Sequence, residues 1–247
     1  MADRRLWIWV VLLGLTGQLA WTVESIYLNL FVYNTITDSP TVLATLVATS
    51  AVDATIATLL AGAASDRTGG RREFIAVGHV PWGLCTAGFG LVSVDAAASL
   101  MPMLDAVTIA VIAIVVLDRV MSILGSSAND AAFNAWVTDS TRPDNRGRVD
   151  GVLATMPLLA MLLVFGALDP LTRGGQWMLF FTIIGGATAA VGVIAWFGVR
   201  EPRQPRPSGS YLSSVVGNSP WVVDTLRLAH TGPENAGHHH DQEEVLG

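Results

Sequence analysis

Six long apolar segments dominate the sequence and restrict what the chain can fold into. Each holds about 20 or more mostly apolar residues, which lets an α-helix cross a hydrocarbon core of about 30 Å. A membrane barrel would instead need alternating segments of about ten residues. The predicted fold class is therefore all-α, a polytopic membrane protein with six transmembrane helices. The predicted spans are residues 6–36, 41–64, 74–94, 107–137, 152–171 and 176–199.

The stretches between these segments contain residues that end helices or make turns. Asp38-Ser39-Pro40 predicts a helix end followed by a helix that begins at the proline. Arg142-Pro143-Asp144-Asn145 predicts a turn. Beyond the last span the chain becomes rich in Pro and Arg. We therefore expect a transmembrane bundle over residues 1–202, followed at 203–247 by a cytoplasmic linker and a disordered polar tail.

The arginines predict the orientation in the membrane. All 14 basic residues are Arg, and with six spans both termini lie on the same side. That side collects eleven of them, and the opposite side has only Arg173. Cytoplasmic loops of membrane proteins carry such an excess, so we expect both termini to be cytoplasmic and the location to be the cell (inner or plasma) membrane. The eleven are Arg4, Arg5, Arg67, Arg71, Arg72, Arg142, Arg146, Arg148, Arg200, Arg203 and Arg206.

The loop between the second and third spans has the composition of a conformational latch. In Gly62-Ala-Ala-Ser-Asp66-Arg67-Thr-Gly69-Gly70-Arg71-Arg72, Asp66 can pair with Arg71 or Arg72 across a tight turn. Gly62 is expected to let two helices approach closely. The alternative is an ordinary basic loop that contains one Asp. The predicted latch residues are Gly62, Asp66, Arg67, Gly69, Arg71 and Arg72.

Charged residues inside the spans are costly in lipid and usually functional. At 1.5 Å per residue, Asp53 and Asp130 lie about 20 and 14 Å from the cytoplasmic edge, at similar depths on two different spans. Together with Asn129 they predict an oxygen-rich site for a coupling cation or proton. The alternative for either carboxylate is a structural hydrogen bond between helices.

The first span suggests where a solute binds. Trp21 and Glu24 share a helical face with two glycines, and Gln18 adds a polar group nearby. Trp21 can stack on a sugar ring, and Glu24 can accept hydrogen bonds from hydroxyls or take a proton. Arg119 is either a substrate clamp or a charge partner. The alternative for the first two is an interface Trp and a Glu near the outer leaflet.

These motifs together resemble the major facilitator superfamily. The 62–72 loop resembles its signature loop, Asp139–Gly147 its second cytoplasmic loop, and Glu201-Pro202 its exit from the sixth helix. The resemblance covers residues 6–202 and implies the N-terminal six-helix half of a twelve-helix fold. Such a half is a 3+3 inverted repeat that works by alternating access.

A narrower resemblance involves two of the spans. Val52–Ala57 and Asn129–Trp136 are similar to the cation-site helices of glycoside–pentoside–hexuronide:cation symporters. This implies transport of a small polar solute, a sugar or glycoside, coupled to H⁺ or Na⁺ through Asp53 and Asp130. The sequence departs from that pattern at Ala57, where a carboxylate is expected, and in the fifth span, which lacks an arginine.

The expected partners are the lipid bilayer, the solute and a second six-helix half, either a separate chain or a second copy. We expect no nucleic acid, no cofactor beyond the coupling ion, and no resident metal, since three consecutive His in a polar tail do not define a site. No catalytic motif indicates an enzyme. Two alternatives remain: a non-transporting scaffold, regulator or inactive truncated protein, and, less favoured, an intramembrane enzyme.

Overall fold

Each of the six predicted spans is a helix in the computed structural model, which describes residues 4–68 and 70–200, Thr68 by its backbone alone. All six are long and apolar enough to cross a membrane, and the described residues contain no strand. The all-α, polytopic prediction is confirmed. The bounds are Arg4–Thr35 (span 1), Pro40–Thr68 (span 2), Arg71–Leu91 (span 3), Ala106–Ser140 (span 4), Pro143–Arg173 (span 5) and Trp177–Gly198 (span 6).

Three spans contain a π-helical segment. These segments are Val23–Leu28 in span 1, Ser126–Phe133 in span 4 and Val164–Leu168 in span 5. A π turn holds more residues than an α turn, so it rotates the following side chains relative to a regular 3.6-residue count. The first contains Glu24 and the second contains Asp130. A regular residue count therefore does not give the helix face on which Glu24 or Asp130 lies.

The span boundaries agree with the sequence at one turn signal and differ at another. The helix before Asp38 ends at Thr35 and the next begins at Pro40, as predicted. Span 5, however, begins at Pro143, so the residues predicted as a turn at 142–145 form the first turn of its helix. The Arg142 N–H donates to the side chain of Asn145 over 2.8 Å and closes the first helical turn. Hydropathy misses this turn because its residues are polar.

Spans 3 and 6 make the closest helix contact. A Cβ atom on Gly83 would lie 2.3 Å from the carbonyl oxygen of Gly185, and one on Gly185 would lie 2.3 Å from that of Gly83. The alanines one turn further along make matching contacts. Ala189 of span 6 lies against Gly83, and Ala87 of span 3 lies against Gly185. Such reciprocal contacts are those expected of the inverted three-helix repeat that the resemblance implies.

The connections between spans 2 and 3 and between spans 4 and 5 lie at one end of the bundle, called here the arginine-rich end. The Arg5 guanidinium donates to the Gly198 carbonyl over 2.6 and 3.0 Å, so spans 1 and 6 also meet at this end. An apolar cluster that includes Trp9, Ile75 and Trp136 packs beneath it. The residues after 200, including Glu201-Pro202 and the predicted linker and tail, lie outside the described part of the chain.

Candidate solute and coupling site

Arg71 joins the ends of three spans at the arginine-rich end. At the start of span 3, it lies 2.5 Å from Asp66, donates to Ser65 over 2.6 Å and lies 3.2 Å from Asp139 at the end of span 4. The predicted pairing of Asp66 with an arginine across the turn is present. The sequence did not indicate that Asp139 shares the same arginine. One guanidinium therefore holds two loops together.

The other predicted latch residues have different surroundings. The Arg72 guanidinium lies over the Trp196 ring, 5.4 Å from its centroid. Arg67 is exposed, and Gly69 falls outside the described residues. A Cβ atom on Gly62 would meet nothing within 4 Å. The expectation that Gly62 allows two helices to approach closely is therefore wrong.

Arg119 forms an ion pair with Asp53 that joins spans 2 and 4. Its Nε and Nη2 donate to the two carboxylate oxygens over 2.6 and 2.9 Å. This bidentate geometry is the strongest that an arginine and a carboxylate adopt. Asp53 is buried, whereas 49% of the Arg119 side chain is exposed. Of the two roles considered for Arg119, the described contacts match that of a charge partner.

Asp53 and Asp130 have different partners. Asp53 pairs with Arg119, and no hydrogen bond or ion pair between described residues joins it to Asp130. Asn129 donates to Asp130 over 3.1 Å. The similar depths predicted from the sequence do not by themselves bring the two side chains together. The two carboxylates therefore do not form one shared site in this conformation.

Asp118 and Glu24 each accept a hydrogen bond from a serine on another span. The Ser50 hydroxyl on span 2 donates to Asp118, and the Ser122 hydroxyl on span 4 donates to Glu24 on span 1 over 2.5 Å. Asp118 and Ser122 are four residues apart, so they lie on one face of span 4. The site prediction omitted Asp118, Ser50 and Ser122. Their signal was the four-residue spacing of Asp118 and Ser122 in an otherwise apolar helix.

Trp21, Glu24 and Asp118 line a cavity of about 250 Å³ between spans 1, 2 and 4. Glu24 is only 7% exposed, and its Oε2 is buried without a hydrogen-bond partner. A buried acceptor of this kind normally has a protein, water or ligand partner. Of the other predicted solute residues, Gln18 and Arg119 do not line the cavity. The remaining lining residues are Ser25, Asn29, Leu46, Val47, Ser50, Ala51 and Ala54.

The glycine face of span 1 packs against spans 4 and 5. A Cβ atom on Gly17 would lie 2.3 Å from Oδ1 of Asn129, and one on Gly14 would lie 2.8 Å from the Leu153 side chain. Gly14 and Gly17 therefore allow a close approach of span 1 to spans 4 and 5. It places Asn129 directly against span 1 and so fixes where the neighbouring Asp130 lies.

A further polar cluster lies at the end of the bundle opposite the arginines. The Tyr27 hydroxyl on span 1 donates to Asp169 on span 5 over 3.2 Å, and Arg173 donates to Asp169 over 2.5 Å. Asp169 therefore joins spans 1 and 5 there, as Arg71 joins spans 2, 3 and 4 at the other end. Within residues 4–68 and 70–200, no three His, Cys, Asp or Glu side chains are grouped to hold a metal ion.

The family follows from comparison with known proteins. The model of the family described as Major Facilitator Superfamily matches residues 6–230. The chain belongs to the major facilitator superfamily. No curated protein and no solved structure matches it. Membership in this transporter family, together with six membrane-spanning helices, supports a multi-pass membrane transporter.

Proposed function

We propose that this superfamily member carries the solute pathway of a secondary active transporter that moves a small polar solute by alternating access, coupled to H⁺ or Na⁺. The observation that carries the proposal is the cavity between spans 1, 2 and 4, which is lined by Trp21, Asp118 and Glu24, and Oε2 of Glu24 is buried without a hydrogen-bond partner. A polar site inside a membrane bundle marks a solute or ion pathway.

The charge balance inside the spans supports coupling to a cation. Glu24, Asp53, Asp118 and Asp130 supply four carboxylates, and among the described residues Arg119 is the one arginine in the same central region. Buried carboxylates are costly unless they are protonated, paired or bound to a cation. Asp53 and Asp130, with Asn129 beside the latter, are the proposed coupling residues, acting at two separate positions.

The contacts at the two ends support alternating access. Arg71 binds Asp66 and Asp139 at the arginine-rich end, while Asp169 binds Tyr27 and Arg173 at the other. A transporter of this type opens one end at a time. We propose that the Arg71 contacts hold the arginine-rich end closed and break when the site opens to that side. Both termini then lie in the cytoplasm, in line with the arginine distribution.

Exposed polar side chains on spans 1 and 4 support a second six-helix half as partner, from a separate chain or a second copy. Half of the Arg119 side chain and the side chains of Ser25 and Asn134 are exposed there. Such groups are costly against lipid, so they face protein or a water-filled pathway. The bundle at 1–202 would pack on this partner in the cell membrane, with 203–247 as a linker and tail.

The class of solute is the most specific part of the proposal. The resemblance to glycoside–pentoside–hexuronide:cation symporters implies a sugar or glycoside, and Trp21 beside Glu24 offers a ring for stacking and an acceptor for hydroxyls. That resemblance rests on short stretches of spans 2 and 4. The chemistry of the whole cavity therefore decides between solutes better than the resemblance does.

Transport by the complete transporter, including any second half, tests the proposal. We expect Asp53→Asn and Asp130→Asn to abolish accumulation against a gradient while leaving downhill exchange, because exchange needs no coupling ion. Asp38→Asn, exposed between spans 1 and 2, is the control and should behave as wild type. If both variants still accumulate solute with unchanged dependence on Na⁺ and pH, neither residue couples transport.

A further inference from the structure

We propose that the cavity between spans 1, 2 and 4 binds a small organic cation, an amine in its ammonium form, as the transported solute. This inference rests on the proposed transport function and names the chemistry of its solute. It comes from three properties of the lining: a free carboxylate oxygen, the absence of a basic side chain, and an aromatic and apolar wall.

The free oxygen belongs to Glu24. Its Oε1 accepts from the Ser122 hydroxyl over 2.5 Å, whereas its Oε2 is buried and has no partner. The residue is 7% exposed and lines the cavity. An ammonium group entering the cavity would supply the N–H donor that this oxygen lacks. The resulting charge-assisted hydrogen bond is stronger than one between neutral groups.

A second acid lies in the same cavity with no base to balance it. Asp118 lines the cavity and is 1% exposed, with Ser50 as its hydrogen-bond donor. The ten described lining residues include no Arg, Lys or His. The neighbouring Arg119 directs its guanidinium to Asp53 instead. This arrangement repels anions and leaves two acids with a net attraction for positive charge.

The remaining wall favours an organic cation over a bare metal ion. Trp21 contributes an aromatic ring, and Leu46, Val47, Ala51 and Ala54 contribute apolar surface. The face of a Trp ring attracts ammonium groups, and the aliphatic residues suit a hydrocarbon portion. The volume of about 250 Å³ lies just under the roughly 300–1,000 Å³ typical of drug-sized ligands, which limits the occupant to a small molecule.

A neutral sugar fits this lining less well. Sugar hydroxyls can donate to Glu24 and stack on Trp21, but they bring no charge to balance Glu24 and Asp118. Both acids would then have to be protonated or share an additional cation. An amine of similar size balances one carboxylate directly. The lining therefore selects for positive charge first and for shape second.

Binding of a matched pair of probes to the purified full chain in lipid nanodiscs, measured calorimetrically at pH 7, tests the inference. Cyclohexylamine is protonated at this pH, and cyclohexanol is its neutral counterpart of similar size. We expect cyclohexylamine to bind at least tenfold more tightly than cyclohexanol or methyl glucoside. Equal binding of the amine and the alcohol, or tighter binding of the glucoside, would overturn the inference without any variant.

Variants then locate the site. Glu24→Gln should weaken cyclohexylamine binding at least tenfold, and Asp118→Asn should weaken it in the same direction. Glu73→Gln, an exposed acid at the start of span 3 outside the cavity, is the matched control and should bind as wild type. Unchanged binding by folded Glu24→Gln would contradict the assignment. Coupled uptake of an uncharged solute by the complete transporter would refute the amine inference but leave the transport function standing.

Discussion

Arg119 and Asp53 form a two-point ion pair between spans 4 and 2, with donor–acceptor distances of 2.6 and 2.9 Å. The Asp53 side chain is buried, whereas about half of the Arg119 side chain is exposed. Removal of either partner leaves the other charge without its hydrogen bonds inside a membrane span, where an unpaired charge is most costly. The pair therefore has a structural effect in addition to any part in transport.

We expect Asp53→Ala and Arg119→Ala each to lower the free energy of unfolding by about 1–3 kcal/mol. The double variant should lose less than the sum of the two, because it leaves no unpaired charge behind. Denaturant unfolding in detergent, run as a double-mutant cycle, measures this. Strictly additive losses would mean that the two side chains do not interact in the folded protein.

The contacts of Arg71 predict an order of effects at the arginine-rich end. Arg71→Ala removes contacts to Ser65, Asp66 and Asp139, whereas Asp66→Ala removes only one of them. Both variants should still insert into the membrane, and Arg71→Ala should change the turnover of the assembled transporter more. Arg142→Ala, exposed at the same end, is the control. Wild-type turnover in both latch variants would show that these contacts do not hold one state of the transport cycle.

Cysteine labelling from outside the cell checks the orientation. In a Cys85→Ser background, a membrane-impermeant reagent should label Asp38→Cys and Met103→Cys but not Asp144→Cys. All three positions are exposed in the bundle, and Met103 is 96% exposed. Asp144 lies at the arginine-rich end, which the positive-inside rule places in the cytoplasm. Labelling of Asp144→Cys from outside would reverse the orientation.

Two adjacent glycines on span 6 provide a matched pair for testing the contact with span 3. A Cβ atom on Gly185 would lie 2.3 Å from the Gly83 carbonyl oxygen, while one on Gly186 would meet nothing within 4 Å. We expect Gly185→Ala to cost about 1–3 kcal/mol of stability, the usual range for overpacking. Gly186→Ala should be nearly neutral. Thermal unfolding in detergent compares them, and equal midpoints would contradict the described crossing.

The start of span 4 should depend on pH. Asp105 precedes the helix and accepts from the N–H of Thr108 over 2.8 Å and from its hydroxyl over 2.7 Å; these bonds lower the pKa of the carboxyl below its ordinary 3.8. Because the folded pKa is lowered, the stabilisation is present above the ordinary pKa and is lost as the pH falls through the lowered one.

Amide hydrogen exchange at Thr108 measures that loss as a falling protection factor in acid. Asp105→Asn keeps an acceptor oxygen without the charge, so its protection should vary little over the same range. If wild type and Asp105→Asn lose protection in parallel, the carboxylate of Asp105 does not stabilise the helix start.

The spans were predictable because hydropathy sums over many residues and tolerates local errors. The pairing of Asp66 with Arg71 was predictable because both lie on one short turn. Contacts between distant spans were not, since they depend on helix tilt and on π segments that a regular residue count does not contain. Thus Asp53 was expected to share a site with Asp130, whereas its described partner is Arg119.

The polar connections through serines were missed for a different physical reason. A serine in a membrane helix usually bonds to the backbone of its own helix, as Ser127 does to the Ile123 carbonyl. Ser122 instead donates to Glu24 on span 1, and Ser50, which also lies within bonding distance of the Leu46 carbonyl, donates to Asp118 on span 4. Nothing in the residue type separates these two behaviours, so the sequence did not place either serine or Asp118 in a site.

Gly83 and Gly185 make a contact of isologous form, because each glycine faces the carbonyl oxygen of the other. In a dimer of identical three-helix units, any substitution in such a seam would appear twice. Here both units belong to one chain, so each side can change independently of the other. One unit can therefore carry Glu24 and Asp53 while the other carries Asp118 and Arg119. The charges of the two units differ even though their helices make reciprocal contacts.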